Sequence, residues 1–467
     1  MELQPYQESV LSKGNRPFAL HGTGTGKTLT SLKFIERAQE EHPDGNVVLV
    51  TSAALKDNLA KEADKHGVEL NWDKIQTVTH ESMARPATAN IVDKVMKNDG
   101  TLVLDEIHKL RNPKTFGYIN TMNASRSAKK VLGLTGTAII NEVDDLSNLY
   151  DLVQGSSGAK TSSYMNEVVE RQGLWDRIQG KTPKVTYQVT NPKELKKRFT
   201  SLDIYYPPKD DPMVPMVTSR IKSIPMSAEQ AVGYEYAETQ SIKGRPALAE
   251  LARKLREGEN LTKSETAMAN AFSSQTSQAA ISSAAHLPGR AHSTKMDVAM
   301  DDLAESFRDN PEYRGVIYTN KIKAGIDPLV ARLKERGHGD KVQIVQGATK
   351  KSTIQDIVKN YNSGEKPILV ISDSGAEGLD LKGTRGIQVL NPNWNDGKIN
   401  QAIGRGARFG SHVHLPEHER KVDVVHYHST FPKKFFGSAD KTVDQYMHGL
   451  TTDKAKDRGM VISVLSE

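Results

Sequence analysis

The stretch LHGTGTGKTLTSLKFI, Leu20 to Ile35, indicates the fold class of this chain. It follows an apolar run (FAL) and leads into a segment whose apolar residues recur at helical spacing. Strand, glycine loop and helix in this order are typical of a phosphate-binding loop, because glycines let backbone N–H groups converge on phosphate oxygens and the helix N-terminus adds a favourable dipole. We therefore expect Lys27 to reach the phosphates and the Thr28 hydroxyl to ligate magnesium.

The match to a phosphate loop has one departure. The general pattern G-x-x-x-x-G-K-T expects glycine where His21 stands, so only the second half, Gly24 to Thr28, fits strictly. A second feature supports the nucleotide interpretation. The segment TLVLDEIHKL, Thr101 to Leu110, is an apolar strand that ends in two adjacent carboxylates. In this context we expect Asp105 to hold magnesium and Glu106 to polarise the attacking water.

Length and composition limit the number of domains and the possible classes of function. A length of 467 residues predicts about two to four domains. A net charge of +6 and a pI of about 9.0 fit a polyanionic partner without requiring one. The absence of cysteine excludes disulfides, thiolate zinc sites and cysteine nucleophiles. With no signal-peptide core and no long apolar run, we expect a soluble, cytoplasmic protein of a bacterium or a virus-infected host cell, and a nuclear one only in a eukaryote.

The nucleotide loop and the Asp-Glu-x-His box together resemble the motor core of superfamily 2 helicases. Flanking residues narrow the resemblance to the Swi/Snf-like ATPases, the relatives of chromatin remodellers. LQPYQESVL resembles the opening motif of that family, whose glutamine, here Gln7, reads adenine. In DEIHKLRNPKTFGY, Arg111 and Asn112 occupy the places of the family's basic residue and asparagine. LGLTGTAIINEVDDLSNLYDLV resembles the Ser/Thr-Gly-Thr motif, in which Thr135 and Thr137 would couple nucleotide to bound strand.

The second half resembles the closing motifs of the same family in ILVISDSGAEGLDLKGTRGIQVLNPNWNDGKINQAIGRGARFG. Asp380 stands where remodellers usually carry asparagine, and Trp394 with Asn395 fits the family's Trp-Asn pair. The resemblance implies that Arg405 and Arg408 reach across to the γ-phosphate. Such arginine fingers accelerate phosphoryl transfer roughly a thousandfold to a hundred-thousandfold. Because the finger would lie on a different lobe from the loop, hydrolysis becomes coupled to lobe closure.

The resemblance implies a full set of site residues. The residues expected to be catalytic are Lys27, Asp105, Glu106, Arg405 and Arg408. The residues expected to bind ATP are Gln7, Gly24, Thr25, Gly26, Lys27, Thr28, Gly378 and Asp380, with Thr28 and Asp105 as the magnesium ligands. The residues expected to couple the nucleotide site to nucleic acid are His108, Thr135, Thr137 and Gln401. The residues expected to contact nucleic acid are Thr51, Lys56, Thr79, Asn112, Thr319 and Trp394.

The expected fold is α/β, with two RecA-like parallel-sheet lobes in tandem and short helical insertions between them. We expect an ATP-binding first lobe over 1–155, helical insertions and a linker over 156–290, a second lobe over 291–445 and a tail over 446–467. Residues 156–205 are expected to be helical and polar, and a helix is expected to begin near Ser227. The tail is expected to pack back as a helix and a strand.

The expected function is a motor that uses ATP and Mg²⁺ to move along nucleic acid, with double-stranded DNA as the expected partner. Two alternatives stay open. One is a strand-separating helicase acting on DNA or RNA. The Arg111-Asn112 and Trp394-Asn395 pairs favour the duplex translocase over this alternative. The other is a DNA-binding scaffold that does not hydrolyse ATP, which the intact set of catalytic residues disfavours.

Overall fold

A computed structural model describes residues 3–52, 59–169, 185–208, 210–257, 259, 261, 263–282, 293–373, 375, 379–393, 397–432 and 440–467. The chain divides into two compact units. The first contains Met1–Val168, Val185–Pro208 and Lys454–Glu467, and the second contains the long stretch from Lys209 to Asp453. In the described part of the chain, no helix combines the length and hydropathy needed to span a bilayer.

The strands and helices alternate along the chain. The described strands are β1 (Phe18–His21), β2 (Val47–Thr51), β3 (Ile75–Thr79), β4 (Thr101–Asp105), β5 (Lys130–Thr135), β6 (Met165–Val169), β7 (Val185–Val189), β8 (Leu202–Tyr205), β9 (Met216–Pro225), β10 (Gly315–Tyr318), β11 (Val342–Val345), β12 (Ile368–Ile371), β13 (Gly386–Val389) and β14 (Lys421–Thr430). The described α-helices are α1 (Pro5–Ser12), α2 (Lys27–Glu41), α3 (Leu59–His66), α4 (Pro86–Met96), α5 (Phe116–Ser127), α6 (Asp144–Gln154), α7 (Pro192–Arg198), α8 (Ala228–Ile242), α9 (Pro246–Glu257), α10 (Lys263–Ile281), α11 (Thr294–Asp309), α12 (Asp327–Glu335), α13 (Lys351–Ser363), α14 (Gly397–Gly406) and α15 (Val443–Ser466). The shorter helices are Trp72–Lys74, Ser82–Ala84, Ile107–Leu110, Thr161–Tyr164, Ile322–Ile326, Gly339–Lys341 and Glu417–Glu419.

The first unit is built on a parallel sheet that, among the described residues, has the order β3-β2-β4-β5-β1-β8. Its four central strands, β2, β4, β5 and β1, are largely apolar and buried on both faces, as crossover helices on both sides of a parallel sheet require. Phe18 and Leu20 pack into one hydrophobic core and Ala19 into the opposite one. The carboxyl ends of these strands therefore carry the loops that can bind a ligand.

The second unit repeats this plan with a parallel sheet of order β11-β12-β10-β13-β14-β9, again counted over the described strands. Val316 and Ile317, neighbours on β10, lie in cores on opposite faces of the sheet. α8 and α10 pack against each other in a smaller apolar cluster that includes Tyr234 and Ala280. The predicted fold class, two parallel-sheet lobes with helices, is confirmed.

Two local expectations differ from the structure. The stretch 156–205 was predicted to be helical, but it contains β6, β7 and β8, and β8 pairs with β1 as an additional strand of the first sheet. The tail was predicted to form a helix and a strand, but it forms one helix, α15. A helix does begin at Ser227, whose side chain accepts a hydrogen bond from the Gln230 N–H (3.1 Å) and so caps α8.

Candidate nucleotide-binding site

The glycine loop joins the end of β1 to the start of α2. Gly24 and Gly26 have φ angles of +83° and +73°, a backbone region that favours glycine. A Cβ atom at Gly26 would lie 2.7 Å from the Gln7 side-chain nitrogen, so a larger residue would strain the backbone and also displace the Gln7 amide. The N–H groups of the first turn of α2 have no partner within the helix, as in other anion-binding helix N-termini.

Lys27 is the first residue of α2. Its ammonium group donates hydrogen bonds to the carbonyls of His21 (3.0 Å) and Gly22 (2.9 Å). A Cβ at Gly136, in the turn after β5, would lie 3.5 Å from the same nitrogen. Lys27 therefore lies where the glycine loop meets the Thr-Gly-Thr turn, and Thr28 follows it in the first turn of α2.

α1 holds the second half of the loop. The Gln7 side-chain amide is buried and donates to the carbonyls of Thr25 and Gly26, both at 3.2 Å. The Tyr6 hydroxyl donates to the same Thr25 carbonyl at 3.1 Å. The Thr25 hydroxyl in turn donates to the Gly22 carbonyl at 2.8 Å. The predicted adenine reader, Gln7, thus contacts the phosphate loop directly.

Asp105 ends β4 and is buried. Thr51, at the end of the neighbouring strand β2, donates a hydrogen bond to its Oδ2 (2.9 Å), and His80 Nε2 lies 2.7 Å from its carbonyl. Burial and the neighbouring Glu106 carboxylate raise the pKa of Asp105 to about 6, while Thr51 and Lys27 oppose that rise. Burial likewise lowers the pKa of His80 to about 4. The Asp105 carboxylate is therefore fixed in position, and a cation bound beside it would stabilise its ionised form.

Glu106 has φ +47° and ψ +45°, a left-handed conformation that is uncommon for a residue with a side chain. Its carboxylate lies 3.2 Å from His108 Nδ1, which is also 3.0 Å from the Thr135 hydroxyl. Thr135 accepts a hydrogen bond from the Thr137 N–H (3.1 Å). These contacts connect the second acidic residue to the Thr-Gly-Thr turn through one buried histidine.

The donor set fits ATP with magnesium. The Thr28 hydroxyl and the Asp105 carboxylate are oxygen ligands of the type that magnesium prefers. The glycine loop, the start of α2 and Lys27 are suited to a polyphosphate. The described residues hold no cluster of three or more His, Cys, Asp or Glu side chains that could bind a metal by themselves. Magnesium would then be held jointly by the protein and the phosphates.

Arg111 follows the short helix Ile107–Leu110 and points back into the first unit. Its guanidinium donates to the His108 carbonyl (3.1 Å) and lies 3.8 Å from the Asp145 carboxylate. Asn112 is exposed, and its side chain accepts a hydrogen bond from the Lys114 N–H (3.0 Å) in the turn that leads to α5. Arg111 therefore braces this turn, and Asn112 is the first of several exposed residues that follow it.

The second unit brings together two of the residues predicted for ATP. Arg408 Nη1 lies 3.4 Å from Asp380 Oδ1, with both side chains substantially exposed. Arg405 and Gln401 are half-buried on α14. The structure therefore places the arginines of the last motif on one helix and the loop that follows it.

The residues predicted to contact nucleic acid differ in their exposure and in their hydrogen-bond partners. Thr51 and Thr319 are fully buried, and their hydroxyls donate to Asp105 and Asn391 respectively. Thr79 exchanges hydrogen bonds with Ser82 in the turn after β3. The buried hydroxyls of Thr51 and Thr319 thus have hydrogen-bond partners inside the protein. A hydroxyl buried without a partner would cost free energy of folding. Lys56, Gly378 and Trp394 lie outside the described residues.

Two contacts of the site were missed from the sequence. His80 contacts Asp105, and its position after a strand in TVTHES was a usable signal. Asp203 contacts His21 of the glycine loop, but it comes 182 residues later in the chain, and no local pattern marks it.

Comparison with known proteins gives two family matches in chain order. Residues 1–140 match the model of the type III restriction enzyme res subunit, and residues 294–410 match the helicase conserved C-terminal domain. A protein of Acanthamoeba polyphaga mimivirus with the provisional name ATP-dependent RNA helicase is 28% identical over 444 residues, which are 95% of this chain and 91% of the relative.

Shorter matches include a termination factor NPH-I homolog of African swine fever virus, 37% identical over 94 residues, which are 19% of this chain and 13% of that protein. Among solved structures, the Sulfolobus solfataricus SWI2/SNF2 ATPase core in complex with dsDNA is 18% identical, with a TM-score of 0.35 and coverage of 92% of this chain and 88% of that one. The Pyrococcus furiosus Hef helicase domain is 16% identical, with a TM-score of 0.48 and coverage of 91% and 95%.

Proposed function

Because the chain belongs to helicase superfamily 2 and is an ATP hydrolase, we propose that it couples hydrolysis of Mg-ATP to translocation along duplex DNA. On this proposal it is a Swi/Snf-like motor that moves on DNA without separating the strands. Remodelling of DNA-bound proteins, branch reversal and strand annealing are the outputs that such movement supports.

In the proposed reaction, Lys27 and the start of α2 bind the phosphates. Thr28 and Asp105 would hold the magnesium, which would supply positive charge to neutralise the phosphates. Glu106 orients and polarises the attacking water. Arg405 and Arg408 stabilise the charge that spreads over the γ-phosphate oxygens in the transition state. Each of these roles is assigned to named side chains, which can be substituted one at a time.

The observation that carries the coupling is the chain of contacts from Glu106 through His108. The histidine lies 3.2 Å from Glu106 and 3.0 Å from Thr135, while its carbonyl accepts a hydrogen bond from Arg111. Arg111 precedes the exposed Asn112, our candidate contact to the DNA backbone. A shift at the γ-phosphate can therefore reach the surface of the first unit through adjacent side chains.

Duplex preference is proposed from the motif residues. The Arg111-Asn112 pair after the acidic box and the Trp394-Asn395 pair resemble those of duplex translocases, although the second pair lies outside the described residues. Phosphate contacts without base contacts predict weak sequence preference and strong salt dependence.

The test is steady-state ATP hydrolysis without nucleic acid and with duplex DNA, single-stranded DNA or RNA. We expect duplex DNA to stimulate hydrolysis most, at least tenfold above the basal rate and less at high salt. The Lys27→Ala variant measures contaminating activity, and Lys33→Ala, also on α2, is the matched control. Equal rates with and without duplex DNA would refute the proposal.

A strand-separating RNA helicase is the second candidate. The observation that favours it is the provisional name of the mimivirus relative, which aligns with 95% of this chain. In the same experiment, stimulation by RNA alone would select this candidate over the duplex translocase.

A further inference from the structure

His21 replaces the first glycine of the usual phosphate-loop pattern, and its side chain is held by the last strand of the first sheet. The imidazole is fully buried, and its Nε2 lies 2.9 Å from Asp203 Oδ1. Asp203 lies on β8, which pairs with β1 in parallel. Because Asp203 is 182 residues away in sequence, this contact joins the loop to a distant part of the first unit.

The Asp203 carboxylate has a second hydrogen-bond donor. Ser9 of α1 donates to Asp203 Oδ2 at 2.6 Å, and the Lys13 ammonium lies 3.7 Å from the same oxygen. Burial by itself would raise the pKa of Asp203, but the contacts with His21, Ser9 and Lys13 outweigh burial and hold it below its usual range. The group is therefore an ionised carboxylate with a hydrogen-bond partner on each oxygen.

Two tyrosines enclose the histidine. The rings of Tyr6 and Tyr205 stack on each other with centroids 3.8 Å apart. Both meet the His21 ring edge-on, at 5.6 Å and 5.9 Å. Excluding water from a hydrogen bond to a charged group strengthens it and restricts the ring to one orientation.

His21 also contacts Lys27, the lysine proposed to bind the phosphates. The backbone carbonyl of His21 accepts a hydrogen bond from the Lys27 ammonium at 3.0 Å. The same helix that carries Ser9 also carries Gln7, which binds the other end of the loop at Thr25 and Gly26. The loop is thus fixed at both ends from α1, directly through Gln7 and indirectly through Ser9 and Asp203.

We propose that the Ser9–Asp203–His21 network is a positioning element that pre-organises the phosphate loop and thereby sets the affinity for ATP. His21 is in this account a positioning residue and not a catalytic one. A loop held in its binding conformation loses less entropy when phosphate binds, so loosening it raises KM without changing the chemical step. The inference rests on the assignment of the loop to ATP and not on the proposed duplex DNA substrate.

The test is the Asp203→Asn variant. The asparagine has nearly the same shape, but its one oxygen can accept from only one of the two donors, and its NH₂ group faces the other. We expect KM for ATP to rise about tenfold with kcat within about twofold, because one hydrogen bond to a charged group is lost. A fluorescent ATP analogue should show the same loss of affinity with no nucleic acid present.

The controls separate positioning from folding. Asp44→Asn, on the exposed turn after α2, should leave KM and kcat unchanged. Ser9→Ala removes one donor and keeps the His21 contact, so KM should rise about threefold. If Asp203→Asn does not fold, Ser9→Ala decides the question by the same measurement.

Two outcomes would overturn the proposal. One is a lower melting temperature in the variant with KM and analogue affinity unchanged, which indicates a purely structural role. The other is a fall in kcat at constant KM. ATP affinity is measured here without DNA. This test therefore remains valid even if DNA does not stimulate hydrolysis, and the two proposals can fail separately.

Discussion

At the residue scale, the two adjacent carboxylates have different environments, which is why we propose different roles for them. Asp105 is buried against Thr51 and His80, which suits a fixed ligand. Glu106 takes a left-handed backbone conformation that turns it away from the strand and beside His108. The strain of that conformation is tolerated where a side chain must be aimed at a reactant.

Glu106→Gln tests the role of the second carboxylate. The amide keeps the shape but cannot accept a proton from water, so we expect hydrolysis to fall at least a hundredfold while ATP affinity stays within a few-fold. Single-turnover hydrolysis and equilibrium ATP binding measure the two quantities. Glu40→Gln, exposed on α2, is the control. Normal turnover in Glu106→Gln would remove this residue from the reaction.

The sequence marks the candidate site most clearly where its residues are consecutive. The glycine loop, the acidic box and the Thr-Gly-Thr turn each lie within a few residues, and the structure brings them together at the carboxyl ends of neighbouring strands of the first sheet. The contact between His21 and Asp203 could not be predicted, because it depends on β8 lying beside β1. The buried partners of Thr51 and Thr319 likewise depend on which strands are neighbours.

At the scale of elements, the central strands were predictable, whereas two edge strands, β8 and β9, were not. The central strands are continuous apolar runs, because both their faces are buried. β9 is an edge strand with mostly exposed side chains, so MVTSRIKSIP lacks such a run. β8 is only four residues long and is soon followed by two prolines, which indicated a linker.

Gly133→Ala tests the packing of β5 against its covering helix. A Cβ at Gly133 would lie 2.4 Å from Val153 Cγ2 on α6 and 3.2 Å from the Phe18 ring. We expect this overpacking to destabilise the first unit by about 1–3 kcal/mol, seen as a fall of several degrees in its melting temperature. Gly449→Ala, on α15 with no atom within 4 Å, should be neutral or stabilising. Equal melting temperatures for the two variants would contradict this packing.

His428 on β14 makes the stability of the second unit depend on pH. Burial lowers its pKa to about 3, and the positive charges of Lys295, His448 and His426 act in the same direction. An unfolded histidine has a pKa of about 6.5, so between these values the unfolded chain binds more protons. This contribution is intact above about pH 6.5 and falls by roughly 1 kcal/mol per pH unit below it.

The measurement is the melting temperature from pH 7.5 to pH 5 for the wild type and His428→Phe, which keeps a ring but cannot titrate. We expect the variant to lose less stability on acidification than the wild type. His418→Phe, at an exposed position, should follow the wild-type curve. Parallel curves for the wild type and His428→Phe would show that this histidine does not titrate on unfolding.

At the scale of the whole molecule, we propose that side chains of both units act on one ATP. The first unit contains the loop and the acidic box, and the second contains Arg405 and Arg408. With its catalytic groups divided in this way, hydrolysis would depend on the relative movement of the units, and this dependence is what we propose makes the enzyme a motor.

Arg408→Ala tests the arginine finger. The Arg408–Asp380 pair is exposed, so its loss should cost little stability. We expect ATP affinity within about twofold of the wild type and turnover reduced at least a hundredfold. Arg336→Ala, which removes two ion pairs of the second unit, those with Asp297 and Asp301, is the control. Lost ATP affinity with surviving turnover would contradict the assignment.

The most direct test of translocation on duplex DNA is displacement of a third strand bound in the major groove of a linear duplex. The account predicts that the protein displaces this strand only when ATP is hydrolysed, that Glu106→Gln does not displace it, and that the two strands of the duplex stay paired. Separation of the duplex strands without displacement of the third strand would contradict the central claim and identify a strand-separating helicase.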